Sequence, residues 1–171
     1  MLLTILLAGT LAFGHATLPP MQWTRFTLSA TQIDKTIQRG HPRGVRELED
    51  VNQMVNSGII AIPENELAAN NSWEIWPSEG WCGDYAVTKR HELLKRGWPS
   101  SALLLAVVGI NGRANGGAAH AILLVYTGRE WLALDNLTEK IRLVSRLNYQ
   151  PIMVQGADAP NNWYVLLELP K

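Results

Sequence analysis

The sequence predicts an α+β fold in which helices of the N-terminal half pack on an antiparallel sheet built by the C-terminal half. Two observations carry that expectation. Between Val45 and Arg96 apolar residues recur at three- and four-residue steps, whereas after Ala102 they come in short runs separated by turn signals. No internal repeat, low-complexity tract or inter-domain linker interrupts the 171 residues, a length suited to one domain with a real core.

The elements follow in order. Gly40-His41-Pro42-Arg43-Gly44 breaks the chain, and a helix fits Val45 to Asn56 on the apolar positions Val45, Leu48, Val51, Met54 and Val55. Asn56-Ser57-Gly58 supplies its C-cap. Ile59 to Ile62 reads as a short strand stopped by Pro63, and a polar loop from Asn70 to Gly80 carries Trp73 and Trp76. A second helix runs from Cys82 to about Arg96, with Ala86, Val87, Leu93 and Leu94 inward and Lys89, Arg90, Glu92 and Lys95 toward water. Gly97 and Pro99 stop it. Strands are expected at Ala102 to Ile110, Ala118 to Tyr126, Trp131 to Leu134 and Trp163 to Leu169. The glycine-rich stretch Asn111 to Gly117 joins the first two as a loop, a rim of the cleft or a plain hairpin connection.

Fifteen basic side chains balance fifteen acidic ones, so there is no bulk electrostatic case for nucleic acid or an anionic membrane surface. Residues 1–16 read as a signal peptide: an apolar, uncharged run through Phe13, then Gly14-His15-Ala16 with small residues where a signal peptidase reads. No basic residue precedes the run. The run is too short for stable membrane insertion, and residues 17–171 are then one domain in the periplasm or outside the cell. The seven tryptophans are read first as packing residues.

Cys82 is the only cysteine, so no internal disulfide can form, and an exported lone thiol is a liability unless it has chemistry to do. It stands where a helix begins, a place that favours the thiolate. Thr127-Gly128-Arg129-Glu130 reads as a tight hairpin turn with glycine at the first central position. Centring the turn there sets Tyr126 opposite Trp131 and Ile122 opposite Asp135. His120 shares a face with Ile122, so Asp135 falls diagonal to His120 on that face, within bonding reach. A slip of one residue would part them. Cys82 as nucleophile, His120 as its base and acid, and Asp135 as the imidazole's anchor form one constellation, with the Cys82 amide as an oxyanion donor. Each alone has a bland alternative: a buried thiol, a core histidine, a turn aspartate. His41, in a breaker segment, and His91, on a charged helix face, are weaker candidates. A lone cysteine and scattered histidines give no zinc spacing, and the Gly112–Gly117 loop lacks a phosphate-loop ending.

Gly80-Trp81-Cys82-Gly83-Asp84-Tyr85-Ala86-Val87, Gly97-Trp98-Pro99, His120-Ala121-Ile122-Leu123 and Leu134-Asp135-Asn136-Leu137 resemble the motifs of the bacterial transglutaminase-like cysteine proteinases. Val51-Asn52, Asn56 and Ile59, with Ser72-Trp73-Glu74-Ile75-Trp76-Pro77, resemble that family's approach to its active site, and the likeness runs from about Leu48 to Trp163. The resemblance implies a papain-like, transglutaminase-type fold, catalytic residues Cys82, His120 and Asp135, and periplasmic endopeptidase activity. It also implies a protein substrate of the surface-adhesin kind and a calcium requirement. The chain departs from the pattern at the flanks of the cysteine, where the family carries acids: Trp81 and Gly83 stand there, and only Asp84 is retained. Two carboxylates are thereby missing from a site that needs several oxygens, so the expectation is an enzyme without metal or other cofactor. The competing readings are a cell-wall amidase or peptidoglycan peptidase, and a silent peptide-binding module with Trp81 narrowing the cleft. Acyl transfer to amines is open to the same thioester chemistry.

Overall fold

The computed structural model describes residues 44–62, 72–110, 119–157, 161–165 and 170. The expected leader, His41 and the glycine-rich loop lie outside the described residues.

Helix α1 spans Gly44–Gly58 and α2 spans Cys82–Lys95. Two short strands, β1 (Ile60–Ala61) and β2 (Glu79–Gly80), pair in parallel just before α2. The remaining strands are β3 (Leu103–Gly109), β4 (Ala119–Tyr126), β5 (Trp131–Leu134), β6 (Arg142–Leu143), β7 (Gln150–Gln155) and β8 (Trp163–Val165). They form one antiparallel sheet in the order β6-β5-β4-β3-β7-β8.

β3 and β4 are buried along nearly their whole length, because both faces of the sheet are covered. One core joins α1 and α2 (Leu48, Val51, Val55, Tyr85, Leu93) to Leu105, Leu123 and Leu134. The other lies on the alternate positions, Leu104, Ala106, Ile122, Leu124 and Ala133. The β4–β5 hairpin has the expected register, Tyr126 opposite Trp131. Its turn is closed by the Thr127 amide donating to the Glu130 carbonyl at 3.1 Å, with Gly128 at φ 90°.

Two expectations are corrected, and β7 is a strand that the sequence reading did not include. β7 lies in the interior of the sheet although it contains Pro151. The proline pairs with Val108 beside the point where the β3–β7 register shifts, with Ile152 as the extra residue between the partners of Val107 and Val108. Arg90 does not simply face water: it is partly buried and donates to the Leu103 carbonyl (3.1 Å) and Ser100 Oγ (2.7 Å), fastening α2 to the start of β3. Lys89 does not face water either, being 1% exposed. Positions 82, 86, 89 and 93 fall on one helical stripe, so the geometry that turns Ala86 and Leu93 inward takes the lysine with them.

The Lys89 ammonium lies 5.9 Å from the centroid of the Tyr85 ring. Burial pushes its pKa down to about 7, against the pull of the Asp135 charge. An unfolded lysine holds its proton up to about pH 10.4. Between these limits the unfolded chain binds more protons, so this residue makes stability rise with pH from about 7 to about 10.4. Lys89→Met, which keeps the unbranched stem, is expected to raise unfolding free energy at pH 7 by about 1–4 kcal/mol. It should also flatten that rise; urea denaturation at pH 7 and 9.5 checks both.

Candidate active site

The start of α2 is built to present Cys82. Trp81 is the extended N-cap residue, and Asp84, three positions on, accepts its amide through Oδ2 at 2.7 Å. The other oxygen, Oδ1, accepts the Glu74 amide, also at 2.7 Å. Asp84 thus satisfies two backbone donors at the positive end of the helix dipole and ties the preceding loop to it. A β-carbon on Gly83 would clash with Trp73 Nε1 and with both adjoining ring atoms. The indole therefore lies flat over Gly83, and no side chain fits beneath it. Trp73 in turn meets Trp163 of β8 edge-on, with ring centroids 6.0 Å apart. Cys82 itself is a half-buried free thiol, and its amide, the first of the helix, has no carbonyl within the helix to bind.

His120 is the second residue of β4, and Asp135 follows the last residue of β5. The structure brings them together: His120 Nε2 lies 2.8 Å from Asp135 Oδ1, both side chains buried. Cys82 lies close enough to the same imidazole to help raise its pKa. Since Nε2 is taken by the carboxylate, Nδ1 is the nitrogen left to serve the sulfur. Of the weaker candidates, His91 sits on α2 beside Glu92, away from these contacts.

Residues outside the expected constellation complete it. Asp135 Oδ1 also accepts the Leu137 amide at 2.9 Å; Oδ2 accepts Arg142 Nη2 at 3.0 Å and the Tyr149 hydroxyl at 2.7 Å. From α1, Asn56 Nδ2 donates to the backbone carbonyls of Asp135 (3.1 Å) and Thr138 (3.2 Å). Asn52 Nδ2 donates to those of Thr138 (3.0 Å) and Glu139 (2.9 Å). The asparagines clamp the turn that holds the acid. Sequence reasoning offered no role for Arg142 or Tyr149; a guanidinium among Ile141, Leu143 and Val144 was the one available signal.

The electrostatics follow from these bonds. Burial alone would lower the imidazole's pKa, but the bonds and charges of Asp135 and Cys82 override it and push His120 up to about 9. Burial would raise the Asp135 carboxyl, but His120, the Leu137 amide and Tyr149 hold it well below the usual carboxylate range. Burial and the Asp135 charge raise Tyr149, which stays a hydroxyl donor at neutral pH. The arrangement can hold a thiolate beside an imidazolium whose far nitrogen is anchored to a permanent anion.

Next to the helix start, Ser72, Glu74, Glu79, Trp81 and Asp84 help line a cavity of about 220 Å³. Among the described residues, no three His, Cys, Asp or Glu side chains come together as metal ligands. Asp84 is engaged with backbone amides, and Trp73 covers the place where a side chain at 83 would stand.

Solved structures similar to this chain include forms of Legionella pneumophila LapG. One is 27% identical, with TM-score 0.55, covering 66% of this chain. An EGTA-treated form gives the same values, and a calcium-bound form is 23% identical, with TM-score 0.58, covering 74% of this chain. The chain spans 63% of the length of the first two and 71% of the third. These relatives correct the expectation that no cofactor is involved: one of them holds calcium and another was treated to remove it, so calcium binding occurs among the proteins this chain resembles. No curated protein matches the chain. The α+β architecture is that of the transglutaminase-like fold. The family model of the bacterial transglutaminase-like cysteine proteinases matches residues 13–169, and the chain belongs to that family.

Proposed function

We propose that the chain is an exported cysteine endopeptidase that cleaves a peptide bond of an envelope or surface protein through a thioester on Cys82. The observation that carries the reading is His120 Nε2 at 2.8 Å from Asp135 Oδ1, with Cys82 near enough to the same imidazole to help raise its pKa. Cys82 Sγ, as thiolate, attacks the scissile carbonyl carbon. The oxyanion that forms is met by the Cys82 amide at the positive end of α2. His120 gives its Nδ1 proton to the leaving amine, and the C–N bond breaks to leave the thioester. His120, now neutral, takes a proton from water as that water attacks the thioester; release of the acid restores the thiolate–imidazolium pair. Asp135 stays ionised throughout and holds Nε2–H.

Export and a periplasmic or extracellular site are part of the same proposal; among the described residues no helix is long and apolar enough to cross a membrane. Purified wild-type chain and Cys82→Ala, each incubated with an envelope fraction, test the reaction. New protein N-termini in the wild-type digest alone support the endopeptidase. Release of muropeptides without new protein N-termini would replace it with the cell-wall amidase. Neither product, with equal partner capture by both proteins, would leave the binding module.

The pH dependence has a definite sign. The folded pKa of His120 is raised from about 6.5 to about 9, so the imidazolium persists through neutrality and its proton is lost as pH rises through about 9. The acylation rate of Cys82 by p-nitrophenyl acetate should therefore fall in a single step as pH rises, with a midpoint near 9, read from the p-nitrophenolate burst. A midpoint near 6.5 would mean an imidazole free of both partners.

A further inference from the structure

We propose that Arg142 and Tyr149 are positioning residues for the reaction, acting on the His120 imidazole through Asp135; the proposal rests on the cysteine-peptidase reading above. A carboxylate offers about four lone-pair sites, and all four are taken here. His120 Nε2 and the Leu137 amide hold Oδ1, while Arg142 Nη2 and the Tyr149 hydroxyl hold Oδ2. Arg142 Nη2 also donates to the Tyr149 oxygen at 2.7 Å, and the guanidinium carbon lies 5.2 Å from that ring's centroid. The same tyrosine ring stands edge-on to His120, with centroids 6.1 Å apart at 80°. Tyr149 therefore touches both the acid and the imidazole, and Arg142 fixes Tyr149.

Their attachments are rigid. Arg142 opens β6 and pairs with Ala133, two residues before Asp135. Tyr149 precedes Gln150 of β7, which pairs with Gly109 next to Val108, the partner of His120. Two donors on Oδ2 fix the carboxylate plane, so that Oδ1 alone is presented to Nε2. Without them the carboxylate could turn about its last torsion and the imidazole would follow it. The Arg142 charge has a second effect: it offsets the Asp135 charge and limits how strongly Asp135 holds the imidazole's proton.

The experiment uses the full chain. The charged and titratable groups facing Asp135 are His120, Arg142, Tyr149 and, from α2, Lys89; those facing His120 are Asp135, Tyr149 and Cys82. The His120 midpoint is followed by NMR titration, its signal assigned by loss in His120→Ala. The p-nitrophenyl acetate burst is read beside it. Arg142→Gln removes the charge and should raise the midpoint by about half to one pH unit. Tyr149→Phe keeps the ring edge and loses the hydroxyl; it and Arg142→Gln should each slow the burst about tenfold. Arg142→Lys, which restores charge without the fork, should bring the midpoint back while leaving the burst slow. Midpoints and burst rates within twofold of wild type, whatever happens to Tm, would reduce both residues to structural staples. Should Arg142→Gln fail to fold, Tyr149→Phe decides alone by its burst. If the wild type shows no burst and His120 titrates near 6.5, the peptidase reading itself is overturned, and this proposal with it.

Discussion

Replacing His120 with alanine should slow alkylation of Cys82 by iodoacetamide at pH 6 by roughly 10- to 100-fold. An ordinary thiol has a pKa of about 8.5 and is only about 0.3% thiolate at that pH. A neighbouring imidazolium favours the reactive thiolate. Intrinsic nucleophilicity falls as a thiolate becomes less basic, which gives back part of that advantage. The variant should still fold, because the cavity left by the imidazole borders Asp135, which keeps the Leu137 amide, Arg142 and Tyr149 as partners. Intact mass against time gives both rates. At pH 10, where any thiol ionises, the two proteins should converge, and this separates loss of the thiolate from loss of access. Slow, equal labelling at pH 6 would make Cys82 a structural residue.

The parts legible in the sequence are those governed by local periodicity and turn chemistry. Gly128 fixed the hairpin, the hairpin fixed the register, and alternation then set His120 and Asp135 on one face. The Cys82 position followed from a helix start that Asp84 does in fact cap. What escaped was set by tertiary packing. Lys89 carries the charge of a surface residue but occupies the inward stripe of α2. Pro151 disguised β7, because a proline inside a sheet belongs at an irregularity, and the extra residue that makes this one, Ile152, is visible only once β7 is paired with β3. Arg142 and Tyr149 reach Asp135 from segments with no periodic signal, at separations of 7 and 14 residues that no short motif joins. The Trp73 ring over Gly83 was equally hidden, since it depends on the path of the loop before α2.

Those hidden partners give the second large prediction, for Asp135→Asn. An asparagine has one acceptor oxygen and one NH₂ donor where the aspartate has two acceptors. If its oxygen stays on His120 Nε2, the NH₂ is forced against the Arg142 guanidinium, donor against donor. If it turns, the oxygen satisfies Arg142 and Tyr149, and the NH₂ faces Nε2. The second orientation leaves one backbone amide, that of Leu137, short of an acceptor but avoids placing an NH₂ beside a cation, so it should prevail. Nε2 must then accept a hydrogen bond, the imidazole's proton moves to Nδ1, and the neutral ring presents N–H to sulfur with no site left to take the thiol proton. The expected loss in acylation rate is about 10³- to 10⁴-fold, the size associated with fixing a catalytic histidine in the wrong tautomer. Because the clamp selects the bad orientation, Asp135→Asn combined with Arg142→Gln should recover part of the rate, although Arg142→Gln alone lowers it. That inversion of sign, measured with p-nitrophenyl acetate on the four proteins of the cycle, is a result that simple destabilisation cannot imitate. Losses that merely multiply would mean that Arg142 has no say in how residue 135 meets the imidazole.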